Sequence, residues 1–199
     1  MGSTRDRLGD RWQVAQLYDI AAGVLTDRGD DAAALDLRRE QHQRMPSSTT
    51  YAELKASAET RGSWLDERLA ARAVLGARDV GGLVDALLAD GDTDAAWAAA
   101  TDADAETIGD QRWGRLAEER EATHPAAALN VYLRLVDSTL QQADRRNYKA
   151  AAKQLKRAQK AAAAANLSDE FDEHLAALRE QHRRRPTLIG ILDKAGLRT

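Results

Sequence analysis

Histidine is the first residue type to test for chemistry, because it serves both as a proton-transfer group and as a metal ligand. The chain has four, at His42, His124, His174 and His182. A helical metal pair needs ligands three or four residues apart, as in His-Glu-x-x-His, and no two of these histidines have that spacing. We therefore interpret them as exposed or capping side chains and predict no metal site.

The other common catalytic and cofactor motifs are also missing from the sequence. It contains no cysteine, which excludes thiolate zinc ligands and a cysteine nucleophile. It has no Gly-x-Ser-x-Gly nucleophile elbow, and Gly81-Gly82 lacks the Lys-Ser/Thr of a phosphate-binding loop. The run Asp90-Gly-Asp-Thr-Asp does not follow the order of an EF-hand calcium loop, because its glycine comes too early. We predict that the protein is not an enzyme, binds no cofactor and has no small-molecule substrate.

A one-sided run of basic residues is the most specific feature of the sequence. On a helix over 145–165, at 100° per residue, five cations fall on one side and the apolar residues fall on the other. A second basic cluster follows at 183–185. Together they form the predicted binding surface: Lys149, Lys153, Lys156, Arg157, Lys160, Arg183, Arg184 and Arg185.

Two interpretations of this surface stay open. It could bind nucleic acid through phosphate attraction that fades as salt rises. It could equally be a solvated face, or one that meets an acidic protein partner. The charge distribution allows either, because residues 125–199 hold 14 basic and 8 acidic side chains, a net +6, while the rest of the chain carries −9.

The elements that must position these residues are predicted to be helices. About one residue in five is alanine, the residue with the highest helix propensity, and the chain has only 3 prolines and 13 glycines. Turn and capping residues recur at short intervals. The sequence therefore predicts an all-α fold, an array of about eleven short antiparallel helices, arranged as a tetratricopeptide-like α-solenoid or as a helical bundle.

Several helix ends can be predicted individually. Thr50 and Glu53 have the spacing of a capping box, Gly76 should end the fourth helix, and Ser168 should cap the tenth. Pro125 should occupy the first turn of its helix, and Asn166 should end the 145–165 helix.

Apolar residues predict how two sets of side chains pack. The four tryptophans, Trp12, Trp64, Trp97 and Trp113, are predicted to fill the space between helices that alanine leaves open, and the alternative is that they line a ligand groove. The apolar side of the first helix is predicted to consist of Trp12, Leu17, Ile20, Ala21 and Leu25.

A turn followed by an alanine-rich helix recurs along the chain and suggests stacked helical hairpins. Segments 29–35, 91–97 and 124–129 each make a turn and then start an alanine-rich helix, at spacings close to one and two units of a 34-residue hairpin. We expect a single helical domain over 1–199, with an optional division into an acidic part, 1–110, and a basic part, 111–199.

The C-terminal part also resembles a known family. The residues that carry the resemblance are Trp113, Leu116, Ala117, Arg120, Glu121, His124, Pro125, Ala126, Ala128, Leu129, Tyr132, Tyr148, Ala151, Ala152, Leu155, Lys156, Phe171, Leu178, Arg179, and the segments 182–188 and 192–197. Residues 113–199 look like the helical region that follows the zinc finger in bacterial, especially actinobacterial, SWIM zinc-finger proteins. The resemblance implies a helical array for contacts with other macromolecules. It does not extend to the finger, because the chain lacks the cysteines of the Cys-x-Cys and Cys-x-His ligand pairs.

These observations favour a non-catalytic helical scaffold that binds a protein partner or associates with itself. The alternative is a nucleic-acid-binding accessory domain that uses the basic helix 145–160. The N-terminal residues lack the apolar core of a signal peptide, and no stretch approaches a membrane span. We therefore expect a cytoplasmic protein that does not contact the membrane.

Overall fold

The computed structural model describes residues 4–103 and 105–198. Over these ranges the chain is all-α, 83% helical and without strands, which confirms the predicted fold class. None of the described helices is both long and apolar enough to cross a membrane. The eleven helices of the described residues are α1 (Thr4–Asp27), α2 (Asp31–Arg44), α3 (Ser48–Thr60), α4 (Trp64–Arg78), α5 (Val80–Ala89), α6 (Thr93–Asp102), α7 (Ala105–Arg120), α8 (Pro125–Leu140), α9 (Arg145–Ala165), α10 (Ser168–Gln181) and α11 (Pro186–Lys194).

The helices gather into two compact units, with the boundary between Thr107 and Ile108. In the first unit each helix from α1 to α6 packs against the next one, and α2 with α4 and α3 with α5 also touch. In the second unit α8 and α9 form a closely packed hairpin, and α10 and α11 pack against α9. The expected domain organisation, one domain with an optional division near residue 110, stays a prediction.

Alanine lets the helices of the first unit approach closely around a few large side chains. Leu35, Tyr51, Leu54 and Leu75 are the bulky members of its core, and Trp64 packs against them with its ring edge-on to Tyr51 at 5.2 Å. The small members of the core are Ala58, Ala71 and Ala86. This is the role predicted for Trp64.

The second unit is held by the apolar side of α9. The following residues of that side are buried: Tyr148, Ala151, Ala152, Leu155, Ala158 and Ala162. Large buried side chains from the neighbouring helices complete this core: Leu116, Tyr132, Val136, Phe171, Leu175, Leu188 and Leu192.

Some predicted helix ends are confirmed. Pro125 lies in the first turn of α8, and Asn166 ends α9 in the left-handed conformation with φ 58°. Such a residue satisfies the last carbonyl groups of the helix, and asparagine tolerates the positive φ better than most residues.

Other predicted ends are wrong. The capping box of α3 is formed by Ser47 with Thr50, three residues ahead of the predicted Thr50–Glu53 pair, because Ser47 already accepts the Thr50 amide. Gly76 does not end α4, which continues to Arg78 and stops where Asp79 caps the next helix. Ser168 is the first residue of α10, and its side chain caps nothing.

His42 contradicts the interpretation of the histidines as exposed or capping groups, because it is only 1% exposed. Its Nε2 lies 3.0 Å from the Ala71 carbonyl oxygen and its Nδ1 lies 2.9 Å from the Thr50 hydroxyl. A carbonyl can only accept, so Nε2 bears the proton and Nδ1 of the neutral ring accepts. Burial lowers the pKa of His42, outweighing the opposing effect of the Ala71 hydrogen bond.

This buried histidine predicts a loss of stability in mild acid. Below about pH 6.5 the unfolded chain binds a proton at His42 that the folded chain does not, so the free energy of unfolding falls with a limiting slope of about 1.4 kcal/mol per pH unit. His42→Gln should remove that slope. Urea denaturation from about pH 5 to 8 tests this, with the exposed His124→Gln as control. Parallel pH profiles for wild type and His42→Gln would contradict the prediction.

Candidate functional site

The predicted basic surface on α9 is exposed in part. Lys149, Lys153, Lys156 and Lys160 are all on the solvent side of the helix, opposite its buried alanines. Of these, Lys149 and Lys153 have no ionic or hydrogen-bonding partner in the described part of the chain, and Lys156 contacts only the side chain of Gln159, at 3.1 Å. The face of α9 predicted from the sequence for these four lysines is therefore the face that is exposed to solvent.

Two members of that surface are paired with acidic residues within the second unit. Arg157 forms an ion pair with Glu118, and Lys160 lies 3.5 Å from Glu121. The Tyr132 hydroxyl also donates to Glu121, at 2.8 Å. Burial together with this hydrogen bond raises the pKa of Tyr132 well above its usual range. The C-terminal end of the basic face is thus largely neutralised inside the chain.

The three arginines of the cluster at 183–185 have different surroundings. Arg183 pairs with Glu180 at 2.5 Å, and Arg185 donates to the carbonyl of Leu140 at 2.9 Å, where it satisfies the C-terminus of α8. Arg184 is exposed and has no such partner in the described residues. Arg185 is therefore engaged within the fold, whereas Arg183 and Arg184 are exposed.

A second polar cluster, which the sequence did not predict, lies in the first unit around Asp90. The carboxylate of Asp90 accepts from the Tyr51 hydroxyl at 2.6 Å and from Lys55 Nζ at 2.7 Å. Arg72 donates to Asp90 at 2.9 Å and to Asp92 at 3.0 Å. The Asp90 side chain is 8% exposed, so this is a nearly buried ion cluster joining α3, α4 and the end of α5.

The cluster shifts the ionisation of its members in a consistent direction. Burial raises the pKa of Tyr51 to about 12, and its hydrogen bond to Asp90 adds to the shift. Burial alone would raise the pKa of Asp90, but the three hydrogen bonds that it accepts outweigh burial and lower it. Asp90 therefore stays ionised, as its cationic neighbours require.

A groove of about 370 Å³ opens beside this cluster. Its walls come from α3, α4 and the turn between α5 and α6, and they include the tryptophan that packs on the core. The lining residues are Lys55, Glu59, Trp64, Arg68, Arg72, Asp90, Gly91 and Asp92.

The first helix exposes an apolar face. Trp12, Leu17 and Ile20 are 63%, 64% and 64% exposed, and Val14 and Val24 are also exposed. The opposite side of α1, with Tyr18 and Ala22, is buried. The side of α1 predicted to be apolar is therefore mostly exposed rather than packed, and Trp12 does not fill a space between helices as predicted.

Among the described residues, no three histidine, aspartate or glutamate side chains come together as a metal ligand set. The absence of an active site from the sequence is a prediction that the geometry does not test.

The fold defines an all-α protein built from hairpins of short helices. Its two charged clusters are used in ion pairs between helices. A family model matches residues 67–188, more than half of the chain, and its description is "Family of unknown function (DUF6880)". The chain therefore belongs to this family. No curated protein and no solved structure matches it. The matched segment begins within α4 and ends within α11, so it includes Asp90 and α9 but not α1.

The Asp90 cluster predicts a large effect for a very small substitution. Asp90→Asn keeps the shape of the side chain but leaves Lys55 and Arg72 without their shared carboxylate, so we expect the free energy of unfolding to fall by about 1–3 kcal/mol. Chemical denaturation measures it. The control Asp66→Asn removes an exposed charge from the first turn of α4 and should cost under about 1 kcal/mol. Equal losses in the two variants would show that the cluster adds nothing.

Proposed function

We propose that the protein is a non-catalytic helical scaffold that associates with a second copy of itself through the exposed apolar face of α1. The observation that carries the proposal is the exposure of Val14, Leu17, Ile20 and Val24. Residues 14, 17, 20 or 21, and 24 follow the spacing of one helix face. An apolar face of this kind on a folded protein marks an interaction surface more often than a random scatter of apolar residues does.

The architecture supports a helix as the occupant of that face. Among the described helices, α1 packs mainly against α2. Its other side is apolar and exposed, so a second copy of α1 would supply a further helix to pack against it. A symmetric contact uses the same patch twice and closes as a dimer. The tetratricopeptide-like arrangement of the helices, which the sequence predicts, is part of this proposal.

The available area fits a reversible dimer. Burying a large apolar side chain contributes about 1.5–3 kcal/mol. At about 25 cal/mol per Å², this free energy corresponds to roughly 60–120 Å² of buried apolar surface. Four side chains that are about half exposed offer roughly 200 Å² per copy. Because apolar atoms make up about 60% of an interface, two copies would bury roughly 700 Å² in total. That is below the usual range of stable specific interfaces, so we expect weak association.

Two sequence-based predictions accompany this function. The resemblance of residues 113–199 to the helical region of SWIM zinc-finger proteins implies macromolecular contacts, which agrees with a scaffold role. A cytoplasmic location in a bacterial cell, and the absence of membrane contact, remain part of the proposal.

Self-association is tested by sedimentation velocity across the micromolar range. The wild type should show a sedimentation coefficient that rises with concentration, and Leu17→Glu/Ile20→Glu should sediment as a monomer, because two charges cannot be buried in an apolar contact. Leu65→Glu/Leu69→Glu is the matched control, since these leucines of α4 are 74% and 73% exposed. A wild type that stays monomeric, or equal dissociation in both variants, would refute the proposal.

A second candidate function is nucleic-acid binding, which the exposed Lys149, Lys153 and Lys156 favour. Such a surface would act through phosphate contacts and release of counterions. The internal ion pairs of Arg157 and Lys160 reduce the charge available, so we expect weaker binding than the sequence alone suggests.

This alternative predicts a salt-sensitive anisotropy change with labelled DNA or RNA between about 50 and 200 mM salt. Lys153→Glu/Lys156→Glu should abolish it. Arg28→Glu/Arg61→Glu makes the same change in net charge at exposed positions of the first unit and should retain binding. No binding at low salt, or equal loss in both variants, would exclude the α9 face as a nucleic-acid site.

A further inference from the structure

The groove beside the Asp90 cluster contains one cation without a partner. The Arg68 Nε atom is buried and has no hydrogen-bond partner, and no carboxylate of the described residues pairs with its guanidinium. Burying part of a charged group without a partner is costly, and removing such a group or supplying its partner relieves the cost. Arg68 is therefore a cation that the described part of the chain does not neutralise.

The other cations of the groove are already engaged. Lys55 and Arg72 share Asp90, and Arg72 also binds Asp92. These contacts fix the shape of the groove floor and leave the guanidinium of Arg68 as the group available to a ligand.

An aromatic surface lies next to this guanidinium. Trp64 is four residues before Arg68 on α4, so the two side chains are neighbours on one face of the helix. Both line the groove. Trp64 is held in place by its edge-on contact with Tyr51. The groove thus places one aromatic ring, over which Lys55 Nζ lies at 6.0 Å from the ring centroid, beside the hydrogen-bond donors of Arg68.

We propose that this groove binds a carboxylate that is attached to a flat apolar group, with Arg68 holding the carboxylate and Trp64 packing against the apolar part. Arginine matches a carboxylate in a bidentate geometry. A phosphate fits less well, because Glu59, Asp90 and Asp92 equal the three cations of the lining and would repel a dianion. The same chemistry could come from a free carboxylic acid or from an acidic side chain beside an aromatic residue in a peptide.

This proposal does not depend on self-association. None of the lining residues belongs to α1, so the failure of one proposal leaves the other intact.

The experiment is a ¹H–¹⁵N NMR titration that follows the Nε–H signal of Arg68 and the amide of Gly91. The probes are 3-phenylpropionate and its uncharged amide, 3-phenylpropanamide. We expect saturable shifts of both signals with the acid and none with the amide. Arg68→Gln should abolish the Gly91 shift, while Arg61→Gln, at an exposed position outside the groove, should leave it unchanged. The Arg68→Gln spectrum also reports whether the fold is retained, and it should be, because the lost group had no partner.

A second titration identifies the source of the carboxylate. The capped peptide acetyl-Gly-Glu-Phe-Gly-amide carries the same acid and aromatic group within a polypeptide. Tighter binding of the peptide assigns the groove to a protein partner, and tighter binding of 3-phenylpropionate assigns it to a small acid. The proposal is overturned if neither probe shifts the signals, if the amide acts like the acid, or if Arg68→Gln keeps the Gly91 shift.

Discussion

The nearly buried carboxylate of Asp90 is the contact on which the first unit depends. It accepts hydrogen bonds from two residues of α3 and one of α4, at the point where α5 ends. The core around it is rich in alanine, which fills little volume and contributes little burial energy. Polar contacts between helices must therefore fix the arrangement more than in a core of large side chains. The same contacts shape the groove in which Arg68 lies.

The core of the second unit is also rich in alanine, but it is completed in a different way. Its long helix α9 presents alanines to the core, and large side chains of the surrounding helices fill the remaining space. Its polar side meets Glu118 and Glu121 at one end only. In the sequence the basic residues of α9 appear as one uniform stripe. In the fold, those near one end are paired with glutamates, and those near the other end are open to solvent.

Much of the fold could be predicted from local patterns, because helix formation and capping depend on neighbours in the chain. The bounds of α9 and the role of Asn166 followed from composition and turn residues. The start of α3 did not, because Ser47 and Thr50 both have capping chemistry and only the backbone decides between them. The Asp90 cluster, the burial of His42 and the pairing of Arg157 join residues far apart in sequence, which periodicity cannot detect. Trp12 is exposed because of which helices cover α1, and the composition of α1 does not indicate those helices.

The two sides of α9 should constrain evolution unequally. Ala151, Ala158 and Ala162 are at most 1% exposed, so even one added methyl group would have to displace a neighbouring helix. The lysines opposite them touch little, so many polar residues could replace them without changing the fold. Related chains should therefore keep small residues along one line of this helix while the opposite line drifts, and any lysine that resists the drift would be retained for a reason other than folding.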